Sequence, residues 1–125
     1  MTDDWFVAAV EQVAAAGRAA CEALNAAVEA LEEGCRARLA GSSMLEVVDG
    51  LIGGGGREIR FASAEACRDF ERAVAAIRVG VARSLVDDHG LSLTEVARRL
   101  NISRQAASRL YQADPELSVD PTARK

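Results

Sequence analysis

The chain has 125 residues, a mass of 13.2 kDa and a formal net charge of -4, with half of its residues hydrophobic and only 4% aromatic. That size admits one domain or two small modules around a modest core, and a composition rich in Ala and poor in aromatics favours closely packed helices over sheets. The acidic balance excludes a uniformly basic nucleic-acid binder, but the charge is uneven: residues 1–50 hold nine acids and three Arg, net -6, whereas residues 51–125 hold ten acids and twelve bases, net +2.

The all-α reading begins with one long helix from about Asp4 to Leu39. Phe6, Val10, Val13, Gly17, Cys21, Leu24, Val28, Leu31, Cys35 and Leu39 recur with a period close to 3.6. At ~1.5 Å per residue such a helix extends ~50 Å, too long for a small domain to cover alone. Ala fills the gaps and lets a neighbour approach, so residues 1–41 are expected to form a dimerisation helix, paired with or crossing its twin. A helix folded back on its own chain is the alternative. A strict heptad would put Gly17, Gly34 and Arg38 in the seam, which favours a bundle over a regular parallel coiled coil.

Residues 42–62 read as a short helix and a Gly-rich hinge. Ser43 and Glu46 can cap a helix carrying Leu45, Val48, Leu51 and Ile52, and Gly53 to Gly56 then interrupt regular structure. A phosphate-cradling loop does not fit, because Arg57-Glu58 stands where Lys and a hydroxyl residue belong. Arg57 to Phe61 alternates charged and apolar residues, compatible with a short extended segment. From Ser63, as cap, a second long helix runs to about Asp88 with Cys67, Phe70, Val74, Ile77, Val81 and Leu85 on its buried face, and Gly90 supplies a left-handed stop. Arg78 and Arg83 lie outside that stripe, as phosphate contacts or solvated side chains.

Three widely spaced cysteines, Cys21, Cys35 and Cys67, are expected as reduced thiols packed on apolar faces, with a redox pair at Cys21 and Cys35 left open. With one His and no close Cys pair, neither a metal site nor another cofactor is expected. The acidic Thr2-Asp3-Asp4 start and the short apolar runs point to no targeting or membrane segment, hence a cytoplasmic protein.

The most informative stretch is Ser92 to Gln112. Ser92 as N-cap, Glu95 returning its hydrogen bond and a Leu91/Val96 staple start a helix whose apolar face is Leu93, Val96, Ala97 and Leu100. Asn101, tolerant of a left-handed conformation, turns the chain. Ser103 caps the next helix, with Ala106, Ala107 and Leu110 inward and Arg104, Gln105, Ser108, Arg109 and Gln112 outward. These residues resemble bacterial helix-turn-helix DNA-binding regulators of the tri-helical type. The resemblance rests on Ala97, Asn101, Ile102, Ser103 and Leu110, with Asn where Gly is usual at the turn and Ala107 where a larger branched residue is more frequent.

It implies a recognition helix over 103–112 in the major groove of double-stranded DNA. Arg104 and Gln105 then face base edges, Ser108, Arg109 and Gln112 reach bases or phosphates, Ser103 suits a phosphate, and Arg98 and Arg99 contact the backbone. Four Arg against Glu95 give this stretch a local +3, modest enough to call for a homodimer, expected through residues 5–39 and 64–80. The unit would occupy 63–113, followed by a disordered tail over 114–125. The expected function is sequence-specific transcription regulation at the nucleoid. A protein-interaction module that binds a regulator or polymerase subunit is the alternative. No catalytic carboxylate cluster or activated nucleophile points to an enzyme.

Overall fold

The computed structural model describes residues 4–113; the expected tail from Asp114 lies outside them. The described chain is all helix and turn: α1 Asp4–Leu39, α2 Met44–Gly53, α3 Gly56–Asp87, α4 Leu93–Leu100 and α5 Arg104–Gln112. None of these helices is long and apolar enough to cross a membrane. By their contacts, residues 14–70 form one compact unit, and 4–13 with 71–113 a second.

The 14–70 unit is built on small residues. The in-chain side of α1 is Ala16, Gly17, Ala20, Ala23, Ala27, Ala30 and Gly34, of which Ala20 and Gly34 are buried. A Cβ on Gly17 would sit 3.4 Å from the Phe70 ring, and one on Gly34 3.2 Å from Val47. Backbones therefore approach where no side chain intervenes. The larger residues of the expected stripe stay outside: Leu24 is 46% exposed, Val28 51%, Leu31 65% and Leu39 82%. Cys21 and Cys35 are exposed free thiols and only Cys67 is half-buried, which corrects the expectation of packed cysteines.

Two residues past Leu39, Gly41 adopts φ 105°, with Gly41 N–H donating to Arg38 O and Ser42 N–H to Ala37 O. That pair of bonds ends α1. At α2 the capping box is complete: Glu46 N–H donates to Ser43 Oγ at 3.1 Å, and Ser43 N–H to Glu46 Oε1 at 2.8 Å. The glycine run is shorter in effect than expected. Gly53 still belongs to α2, Gly55 turns at φ 90°, and Gly56 opens α3. A Cβ on Gly56 would lie 2.7 Å from Leu51 O, so only glycine fits this close turn. Arg57 to Phe61 are consequently helical, not extended. Ser63 is interior and donates to Arg60 O at 2.9 Å instead of capping.

In the second unit, Trp5 stacks edge-on with Phe6, centroids 5.5 Å apart, and its ring covers Gly80, where a Cβ would come within 2.5 Å of it. The core itself is Ala82, Val96, Ala97 and Ala107, with Leu85, Val86, Leu91, Leu100, Ile102 and Leu110 against it. On α3 the fully buried positions are Val79 and Ala82; Val74, Ile77, Val81 and Leu85 are half-buried. The buried line is thus offset from the expected stripe, because Ala82 lets α4 and α5 approach where a larger residue would hold them away.

Candidate nucleic-acid interface

Helix α4 begins where Ser92 Oγ accepts from Glu95 N–H at 3.1 Å. The reciprocal bond expected from Glu95 is not made; its carboxylate instead pairs with Arg98 and lies 3.9 Å from Arg99 Nε. Two cations i+3 and i+4 on the same helix outcompete one backbone amide for that carboxylate. At the other end Asn101 adopts φ 57°, ψ 48°, its N–H donates to Arg98 O at 3.3 Å, and Ile102 N–H donates to Ala97 O at 3.0 Å. This doubled bond closes α4, and Ile102 folds onto the core beside Ala97. Ser103 Oγ then accepts from Ala106 N–H at 3.0 Å and starts α5 in a new direction.

The two faces of α5 separate cleanly. Ala107 is fully buried and Ala106 and Leu110 are half-buried, while Ser103, Arg104, Gln105, Arg109 and Gln112 are exposed. Ser108, expected outward, is half-buried at the edge. Arg104 is positioned by its neighbour helix, since its Nε donates to Thr94 Oγ1 at 3.2 Å. The Nη groups stay available to a further acceptor, and the Ser103 hydroxyl proton is likewise free to donate.

The seat of α5 on α3 is polar at its far end. Tyr111 Oη donates to Asp87 Oδ1 at 2.8 Å, and Arg83 Nη2 donates to Ala113 O at 2.6 Å. Arg83 is thereby an anchor for the C-terminal cap of α5 and not a solvated side chain. Arg78 differs: it is exposed and shares the rim of a cavity with Arg109, between Val79 and Leu110. This pairing of cations from two helices is not visible in the spacing of either one.

Exposed Arg98, Arg99, Arg104 and Arg109 therefore lie on a small unit whose helices are oriented by caps, core and the Tyr111 tether.

The chain matches no protein-family model, no curated protein and no solved structure.

Proposed function

We propose that the protein is a sequence-specific DNA-binding regulator of the cytoplasmic nucleoid that works as a homodimer, with α4 and α5 acting as a helix-turn-helix and α5 entering the major groove. The observation that carries this reading is the division of α5, with Arg104 and Gln105 exposed in its first turn while Ala106, Ala107 and Leu110 hold the opposite side. A helix presented this way can set Arg against guanine and Gln against adenine. Arg78 joins Arg98, Arg99 and Arg109 as a backbone contact. Glu95 weakens two of those cations, which favours modest affinity per protomer and a need for two half-sites.

Most of the large apolar side chains open to a second copy are on α1 and α2, including Leu24, Val28, Leu31, Met44 and Leu45, with Phe61 on α3. In 64–80, Phe70, Val74 and Ile77 are already half-buried in their own chain, so that stretch adds less than its pattern promised. The alternative, a protein-interaction module, is favoured by the same exposed residues, with a foreign partner in place of the second copy.

The test is a fluorescence-anisotropy titration with duplexes from the gene's own upstream region at two salt concentrations, for the native protein and Arg104→Ala/Arg109→Ala. Selective, salt-sensitive binding that the double variant loses is expected. Absence of binding at low salt by a folded protein would overturn the regulator reading in favour of the interaction module. Single changes separate roles: Arg104→Ala or Gln105→Ala should cost about 1–3 kcal/mol at one base pair, whereas Arg98→Ala or Arg99→Ala should weaken all duplexes alike.

A further inference from the structure

The exposed side of α1 carries two patterns that together specify an occupant. The first is apolar: Ala14, Cys21, Leu24, Val28, Leu31 and Cys35 fall within roughly 60° of one line along the helix at ~100° per residue. All are exposed. The second is charged and borders the first on its open flank, where Glu11, Arg18, Glu29 and Arg36 alternate in sign at gaps of seven, eleven and seven residues. Arg18 and Glu29 have no ion pair among the described residues, and Arg36 has only a solvated one to Glu33 at 2.5 Å.

Because those gaps are symmetric and the signs antisymmetric, reversing the helix puts each of these four charges opposite its complement, while Glu22 and Glu32 on the same flank meet the uncharged Asn25 and Ala15. We infer that α1 is the surface for a second copy of this chain lying antiparallel to it, with the two-fold axis passing between the helices near Ala23 and Leu24. Arg18 then faces Glu29 of the second copy and Glu11 faces Arg36, each pair formed twice by symmetry. The apolar layers alternate in size in nearly the same register: Cys21 meets Leu24 of the second copy, and Ala14 meets Leu31. A small residue opposite a large one is how two helices interdigitate without voids. In a parallel in-register pair, Arg18 would face Arg18 and Glu29 would face Glu29. The inference rests on the homodimer reading above and adds its topology.

Native cysteines read that topology directly. At ~1.5 Å rise per residue the two Cys21 thiols of an antiparallel pair are offset by roughly 5–8 Å along the axis, and the two Cys35 thiols by more than ~30 Å. Full-length protein, Cys21→Ser and Cys35→Ser are treated with a short bismaleimide, and the linked peptides identified by mass spectrometry. Cys21–Cys21 linkage in the native protein and in Cys35→Ser, with no Cys35–Cys35 linkage in any sample, is expected. Cys35–Cys35 linkage as efficient as Cys21–Cys21 would overturn the antiparallel arrangement while leaving a homodimer. A monomer by sedimentation at micromolar concentration would overturn both. Independently, Arg18→Glu should raise the dimer dissociation constant roughly tenfold, and adding Glu29→Arg should restore it. Arg18→Glu without effect would count against the pairing.

Discussion

Single side chains decide how firmly α4 and α5 are held and, on the proposed reading, how strongly they would attract DNA. Tyr111 is the only tyrosine in the chain, so its titration can be followed alone. Its hydrogen bond to Asp87, and then the charge of that carboxylate, raise its pKa above the ordinary value of 10.0. With the folded value above the unfolded one, the linked stability is fully present below the ordinary tyrosine range and is lost as pH climbs through the raised value. Absorbance titration should show the phenol ionising at higher pH than a free tyrosine, and the melting temperature should fall over that alkaline window. Tyr111→Phe should remove the alkaline dependence. Glu95 offers a complementary handle, because its backbone N–H serves the Ser92 cap while its carboxylate sits on Arg98 and Arg99. Glu95→Gln should leave α4 capped, tighten binding to every duplex and steepen the salt dependence by about one phosphate's worth. An unchanged salt slope would mean that neither arginine reaches the backbone.

At the scale of elements, two turns set where helices stop, and they do so differently. Asn101 holds a left-handed conformation with its amide bonded back to α4. Asn101→Gly should keep or raise the melting temperature, while Asn101→Ala should cost about 1 kcal/mol in a denaturant titration, the penalty of a Cβ in that region. Gly56 is constrained by space instead of by torsion, with Leu51 O only 2.7 Å from where a Cβ would be. Gly56→Ala should therefore cost about 1–3 kcal/mol, because a backbone oxygen must move. Were the glycine run a loose linker, the same change would stabilise the chain by restricting its unfolded state.

For the whole molecule, the balance between buried and exposed apolar surface governs association. Among the described residues the fully buried ones are few and small, whereas Leu24, Val28, Leu31 and Leu39 lie open along one helix. A dimer that covers them should show a melting temperature that rises with protein concentration. Leu31→Lys, at a position already 65% exposed, should abolish that dependence and leave a folded monomer by circular dichroism. Persistence of a full-strength dimer would place the interface elsewhere.

The sequence by itself determined the helices and most of their ends, because caps and left-handed residues act over three or four positions: Ser43 with Glu46, Ser92, Asn101, Ser103 and Gly90 all sit where local chemistry puts them. It also separated the inward Ala107 and Leu110 from the outward Arg104 and Gln105, since a helix of known start has a known phase. Tertiary structure decided what periodicity cannot rank. On α1, two faces are apolar, and the chain packs through its alanines and glycines because close backbone approach outweighs the size of individual side chains, leaving the larger residues outside. Competition between partners was decided there too: Arg83 chose the end of α5 over solvent, and Tyr111 chose Asp87. Such choices depend on distances between residues far apart in the chain, which no local pattern encodes.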